Sequence, residues 1–142
     1  MPRRSKASDV ERRTCQTAED VHSMLRNQLD DLEQEQFWVL CVDARMRLLS
    51  IEMIHKGTAH SVEVHPRDVF RRAIRSNAAG IALAHNHPSG DPTPSPEDLE
   101  LTRRLVECGR LLGIPVVDHV VMTRNKFRSL AELYPALIME AL

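Results

Sequence analysis

The sequence predicts an α/β domain in three layers, with a mixed β-sheet covered by helices on both faces. Three observations carry this expectation. Apolar residues recur at helical spacing in three separated segments. Short apolar runs lie between those segments, and one of them, residues 80–84, is apolar on both faces of an extended chain, as a covered central strand requires. The elements also alternate along the chain, in the order α-β-β-β-α-β-α-β, instead of separating into a helical and a strand-rich half. At 142 residues and 16.2 kDa the length fits one domain, and 42% apolar residues supply a normal core.

Residues 1–14 are polar and aperiodic, with Arg3, Arg4, Lys6, Arg12 and Arg13 against Asp9 and Glu11, and read as a flexible solvated tail before a single domain spanning residues 15–142. The tail's other reading is a local contact to nucleic acid or a partner. Thr17 is a helix N-cap with Asp20 three residues on, and Val21, Met24, Leu25, Leu29 and Leu32 follow at helical spacing. Residues 37–42 form a strand containing Phe37 and Trp38, both core residues. Asp43-Ala44-Arg45 is a hairpin turn, and residues 48–54 are a second strand ended by Gly57-Thr58. Residues 61–64 read as a short third strand. Pro66 suits the first position of a helix with Val69, Phe70, Ala73 and Ile74 as its apolar stripe. After the central strand, four prolines and Gly90 within residues 88–96 require a shaped loop. Ser95 then opens a long helix carrying Leu99, Thr102, Leu105, Val106 and Leu112, stopped by Gly113 and Pro115. Cys108 on this helix packs as a small apolar residue. Residues 116–123 are a strand and 126–129 a weak strand or turn. The segment from Ala131 is helix-prone but interrupted by Pro135.

Composition excludes several classes. Lys plus Arg is 19 and Asp plus Glu 20, a net charge of −1, so bulk charge does not hold nucleic acid. Aromatic residues are 4%, too few for a stacking platform. No apolar run is long enough to span a membrane, and the opening Met-Pro-Arg-Arg-Ser-Lys lacks the apolar segment of a secretory signal. Cys15, Cys41 and Cys108 are odd in number and without CxxC spacing, which argues against a disulfide framework and for a cytoplasmic protein.

The chemistry lies in residues 85–98, HNHPSGDPTPSPED. Residues i and i+2 of a strand face the same way, so His85 and His87 converge, with room for one Zn²⁺ at Zn–N distances of about 2.0–2.1 Å. Asp98, in the first turn of the next helix, is held ionised by the helix N-terminus and completes a set of two imidazoles and one carboxylate with an open position. Ser95 and Asp98 also have the spacing of a capping box, and Ser95 so placed can direct its hydroxyl at a developing oxyanion. Hydrolysis further needs a carboxylate that is not a ligand. Glu52, inside the apolar strand Leu48-Leu49-Ser50-Ile51-Glu52-Met53-Ile54, is the leading choice, with Glu63 in reserve and Glu97 discounted as an exposed first-turn residue.

The order His85-x-His87-Pro88-Ser89-Gly90, then Ser95-x-x-Asp98, after a glutamate in an early strand, resembles the JAMM (MPN+) metalloprotease motif. More narrowly it is similar to the RadC-like bacterial branch, through Gly57-Thr58, the stretch from Val64 to Phe70, residues 85–98 and Leu112 to His119, over about residues 17–130. The resemblance implies a cytidine-deaminase-like (JAB/MPN) fold, one Zn²⁺ per chain on His85, His87 and Asp98, Glu52 as general base and Ser95 steadying the oxyanion. The best understood members cleave peptide or isopeptide bonds, while the historical association of the RadC-like branch is with DNA repair. Long RadC-like proteins carry a helix-hairpin-helix segment before this domain. Only some 16 residues precede the first helix here, which speaks against a direct DNA role.

The remaining features weigh less. Three adjacent letters HNH are not the motif of HNH nucleases, and the Cys pair of zinc deaminases is missing. Asp118 and His119 face opposite ways on a strand and cannot chelate together; His119 serves either as a structural hydrogen-bonding group or as a residue orienting a metal ligand. His55, His60 and His65 are surface histidines near the Glu52 strand. Two functions follow as expectations: a zinc hydrolase of amide bonds acting on a protein or peptide, or a binding module (or nuclease) of DNA repair or mobile elements with a structural metal. No membrane partner is expected. An exposed edge at residues 61–64 offers a second copy a place to pair as a homodimer.

Overall fold

The computed structural model describes residues 12–29, 33–57 and 63–139. Helix α1, Ala18–Leu25, begins at Thr17, whose Oγ1 accepts from the Asp20 amide at 3.1 Å while Asp20 Oδ2 accepts from the Thr17 amide at 3.2 Å. It runs on as a 3-10 turn, Arg26–Leu29. Strands β1, Gln36–Val42, and β2, Leu48–Lys56, form an antiparallel hairpin. At its tip Asp43 Oδ1 accepts from the amides of Arg45 and Arg47, both at 2.9 Å, which closes the turn as the sequence predicts. The end of the expected tail, residues 1–14, is held against the hairpin. Arg13 O accepts from the Leu48 amide and the Cys15 amide donates to Met46 O, both at 2.7 Å, so residues 13–15 are bound along the hairpin. Residues 1–11 lie outside the described part.

The expected third strand does not form among the described residues. Residues 61 and 62 lie outside them, as do Leu32 and His60, and Glu63 and Val64 sit in a turn. Pro66 cannot donate to a strand and opens helix α2, Pro66–Arg75, instead. Strand β3, Gly80–Asn86, is buried along its whole length and continues two residues beyond the purely apolar run. Helix α3, Pro96–Leu112, ends at Gly113, whose left-handed φ of 74° suits a residue without a Cβ. Strand β4, Val116–Met122, is parallel to β3, and β5, Phe127–Ser129, is antiparallel to β4. Pro135 divides the C-terminal segment into α4, Leu130–Leu133, and α5, Pro135–Met139.

The five strands stand in the order β2-β1-β3-β4-β5, a mixed sheet with β3 at its centre. Side chains of β1 alternate between two cores. Phe37, Val39 and Cys41 join Val69, Phe70, Leu101, Leu105 and Ile138 from α2, α3 and α5. Trp38, Leu40 and Val42 face Val21, Leu25 and Leu29 of α1 and its extension. Burying each such side chain contributes about 1.5–3 kcal/mol, and the period-2 alternation fixes the register. These are the three layers the sequence predicts. Among the described residues no helix is long and apolar enough to cross a membrane.

The chain crosses from β3 to its parallel neighbour through α3, so the loop and the first turn of α3 lie at the C-terminal end of β3, where sites open in such sheets. The far end of α3 is tightly seated. A Cβ on Gly109 would stand 2.5 Å from the carbonyl oxygen of Ile114. Gly109→Ala is expected to destabilise the protein by about 1–3 kcal/mol through this overpacking, despite the better helix propensity of alanine. Urea unfolding of the two proteins checks it.

Candidate metal centre

His85 is the sixth residue of β3, wholly buried, with its ring stacked on Phe37 at a centroid distance of 6.1 Å. His87 lies just past the strand, and its amide donates to Met122 O at 2.8 Å, extending the ladder to β4. The proline loop then turns back. Gly90 takes a left-handed φ of 91°, and the Asp91 carbonyl accepts a hydrogen bond from His87 Nδ1 at 2.9 Å. A carbonyl only accepts, so His87 carries its hydrogen on Nδ1, and in the neutral ring Nε2 presents a lone pair to the site.

Asp98 enters from α3. Its Oδ2 accepts from the Ser95 amide at 2.8 Å while Ser95 Oγ accepts from the Asp98 amide at 3.1 Å, so the capping box is present. The same carboxylate faces both histidines: Oδ1 is 3.1 Å from His85 Nε2, and Oδ2 is 3.1 Å from His87 Nε2. The two Nε2 atoms are 3.1 Å apart. Capping and convergence therefore coexist in one residue. Ser95 Oγ accepts within the cap, so its own hydrogen is not used there.

A fourth group is one the sequence reading missed. Glu35 immediately precedes β1, and its Oε1 is 3.8 Å from His87 Nε2. Glu35, His85 and His87 present ligand-type atoms within 4.8 Å of one another. The buried Asn86 side chain holds this segment. Its Oδ1 accepts from the Gln36 amide at 2.7 Å and its Nδ2 donates to Gln34 O at 3.2 Å. On the other side the Gly57 amide donates to Glu35 O at 2.7 Å. What places it is strand pairing: Phe37 lies opposite His85, and continuing that antiparallel register by two residues sets Glu35 against His87.

Glu52, expected beside the histidines, is elsewhere. It pairs with Val39, which in turn pairs with Leu83, so it lies two strands across and two residues along from His85, a Cα separation of about 10–12 Å. Its carboxylate faces Arg72 of α2 at 3.5 Å. Glu63 faces His55 at 3.6 Å, and Glu97 is exposed on α3. Neither stands beside the histidines. His65 is exposed at the N-cap of α2, and Cys108 packs against the core, as expected.

His119 of β4 is wholly buried behind His85. Its Nε2 is 2.8 Å from His85 Nδ1, and its Nδ1 meets Thr102 Oγ1, which lies 2.7 Å from the Asp98 carbonyl. Asp118 points the other way and accepts from Ser129 Oγ and the Ala131 amide, tying β5 to the start of α4. A cleft of about 370 Å³ adjoins His87 and is lined by Asn86, His87, Gly90, Arg124 and Lys126 among others; His85, Asp98 and Glu35 do not line it.

The donor set fits a cation. Two imidazole nitrogens and both oxygens of a buried carboxylate point at one small volume, and two hydrogens cannot both occupy the gap between the Nε2 atoms. Imidazole and carboxylate are ordinary ligands of Zn²⁺. The electrostatics agree. Burial would raise the Asp98 pKa, but the close approach of the His85 and His87 rings and the hydrogen bond from the Ser95 amide hold it well below the usual carboxylate range. Burial opposes charge on His87, yet the Asp98 and Asp91 hydrogen bonds and the Glu35 charge raise its pKa above 6.5. Burial, with the charge of neighbouring rings, pushes His119 well below 6.5, so it stays neutral.

A family model described as the RadC-like JAB domain matches residues 15–134. The chain is 45% identical over 117 residues to a protein named UPF0758 from Desulforudis audaxviator, covering 82% of this chain and 51% of that one. It is 49% identical over 112 residues to the protein of the same name from Desulforamulus reducens, covering 79% and 49%. A UPF0758 protein of Staphylococcus haemolyticus is 48% identical over 113 residues, 80% of this chain and 50% of that one. The chain thus spans about half the length of the curated relatives it matches, and their names assign no activity.

The pH dependence of the metal-free protein follows from the two histidines. His87 binds its proton more tightly when folded, so its contribution is complete below 6.5 and is lost as pH rises through its raised folded pKa. His119 is neutral when folded but protonates when unfolded, so stability falls as pH drops below 6.5. Asp98 adds a further loss in acid, below about pH 4, where the unfolded carboxylate takes up its proton. Thermal unfolding in the presence of a chelator is expected to give a maximum midpoint near neutral pH, falling on both sides. Added zinc, which replaces the His87 proton, is expected to remove the alkaline decline.

Proposed function

The chain belongs to the RadC-like JAB domain family, and from that premise we propose that it is a zinc-dependent hydrolase of amide bonds, a metallopeptidase or isopeptidase of the JAMM type. The observation that carries the reading is the convergence of His85 Nε2, His87 Nε2 and both Asp98 oxygens at 3.1 Å, with Glu35 at 3.8 Å on the side nearest solvent. His85, His87 and Asp98 hold one Zn²⁺. When bound, the ion supplies Lewis acidity to a carbonyl oxygen and lowers the pKa of water to about 7.

The chain's own residues do the rest. Glu35 is a carboxylate beside the ligands with 22% of its side chain exposed, so it can meet a water molecule and a substrate amide. It takes a proton from the attacking water and delivers it to the departing amine nitrogen. Ser95, fixed at the N-cap of α3, turns its free hydroxyl hydrogen toward the oxyanion of the tetrahedral species. The Asn86 bonds to Gln34 and Gln36 keep Glu35 in place through the reaction. This assignment replaces Glu52, whose carboxylate faces Arg72. The substrate is a protein or peptide that reaches the centre along the cleft beside His87.

A second reading is a nucleic-acid-binding module of DNA repair or mobile elements, in which the ion only supports the fold. It draws on exposed Arg124 and Lys126 lining the cleft next to His87, two cations placed to meet phosphates. The near-neutral charge of the chain favours the hydrolase. One variant separates the two. Glu35→Gln is expected to keep about one zinc per chain by mass spectrometry while lowering hydrolysis of peptide and isopeptide substrates by about 10²–10⁴-fold. Glu52→Gln is expected to leave both unchanged, and His87→Ala to lose the zinc. Full hydrolytic activity in Glu35→Gln would overturn the assignment of the base. A zinc-loaded wild type that cleaves no peptide but binds DNA would favour the second reading.

A further inference from the structure

Behind the candidate ligands runs a buried chain of hydrogen bonds: His85 Nδ1 to His119 Nε2 at 2.8 Å, His119 Nδ1 to Thr102 Oγ1, and Thr102 Oγ1 to the Asp98 carbonyl at 2.7 Å. Its inner members, His85, His119 and Thr102, have no solvent exposure, so water cannot substitute for a missing link. The chain begins at one candidate ligand and ends on the backbone of another. From this geometry we infer that His119 and Thr102 are positioning residues, which fix His85 in the tautomer with a bare Nε2 and thereby set the affinity of the centre for zinc.

The argument is one of counting hydrogens. A neutral imidazole has one N–H, and a hydroxyl has one hydrogen. The Asp98 carbonyl can only accept, so Thr102 gives its hydrogen there and accepts from His119 Nδ1–H. His119 Nε2 is then an acceptor and takes the hydrogen of His85 Nδ1. His85 Nε2 is left with its lone pair toward Asp98 and His87. The opposite arrangement sends the Thr102 hydrogen to His119 Nδ1, puts a hydrogen on His119 Nε2, and forces the His85 hydrogen onto Nε2, into the volume the ion needs. His87 meets the same requirement more simply, through the Asp91 carbonyl. The two ligand histidines are thus oriented by different means, one by a loop carbonyl and one by a second histidine. Phe37 closes the remaining faces, stacked on His85 and edge-on to His119 at 5.5 Å.

This inference rests on the proposed zinc centre but not on its hydrolytic activity, so the test reads zinc affinity and ring tautomers. Zinc affinity is measured by competition with a chromophoric chelator for the wild type, His119→Leu, His119→Gln, Thr102→Val and Thr102→Ser. Loss of an outer partner of a metal-ligating histidine typically costs 10–100-fold in affinity. His119→Leu and Thr102→Val are expected to show that loss. His119→Gln, which restores an acceptor toward His85, and Thr102→Ser, which restores the hydroxyl, are expected to recover most of it. Long-range ¹H–¹⁵N spectra of the wild type give a second readout that needs no variant to fold. They are expected to place the hydrogens of His85 and His119 on Nδ1 in both the zinc-free and the zinc-loaded protein. Affinities within twofold of the wild type in folded His119→Leu and Thr102→Val would overturn the inference. So would an Nε2–H tautomer of His85 in the zinc-free wild type. If the wild type binds no zinc, the proposed function fails, and the tautomer of His85 still decides whether the relay holds.

Discussion

The site depends on Asp98 serving two structures at once. Its carboxylate caps the helix to which it belongs and faces both histidines of the neighbouring strand. Neither duty is secure alone. A buried carboxylate without compensating partners is costly, and two imidazoles 3.1 Å apart with lone pairs toward each other repel. Together they set the path of the intervening chain. The loop from Pro88 to Pro94 must bring the start of α3 to the end of β3, and its prolines, Gly90 and the Asp91 carbonyl are the means. The helix dipole contributes in the same direction, since the positive end of α3 lies at the carboxylate.

What could be read in the sequence was local, and what could not was a matter of register. His85, His87, Ser95 and Asp98 fall within 14 consecutive residues, and strand alternation and helix capping suffice to bring them to one place. Glu35 lies 50 residues before His85. Its place is decided by the β1–β3 pairing, which no short pattern in the chain declares. Glu52 attracted attention as a charged residue in an apolar strand, yet the strand is an edge strand whose partner on α2 is Arg72. The three layers, α1, both hairpin strands, α2, the central strand, α3 and β4 were legible from periodicity and caps. The strand expected near residues 61–64 was not found in Glu63 and Val64, because the chain is already turning into the proline-led start of α2 there.

Asp118 and His119 illustrate how adjacent residues divide the work of a strand. Alternation sends His119 to the side of α3 and the candidate metal ligands. Asp118 goes to the opposite side, where it joins β5 and α4 through Ser129 and Ala131. Burial raises the Asp118 pKa, and hydrogen bonds from Ser129, Ala131 and the His119 amide oppose that rise. The C-terminal elements are in this way fastened to the residue next to the one that supports His85. Displacing β5 would reach the centre through a single peptide unit.

The unequal exposure of the two histidines gives the centre a direction. His85 is sealed by Phe37, His119 and Asp98, whereas His87 keeps 13% of its side chain open to the cleft. An ion entering the proposed centre would therefore approach past Glu35 and His87, the two partly exposed groups. The cleft beside His87 has a rim that includes Gly90 and the loop at Arg124 to Lys126. On the proposed zinc centre, the groups at that opening would bear on how fast the ion exchanges, and the ligands on how tightly it is held. Two proteins with identical ligand sets but different residues at that rim would hold the same ion equally tightly and surrender it at different speeds.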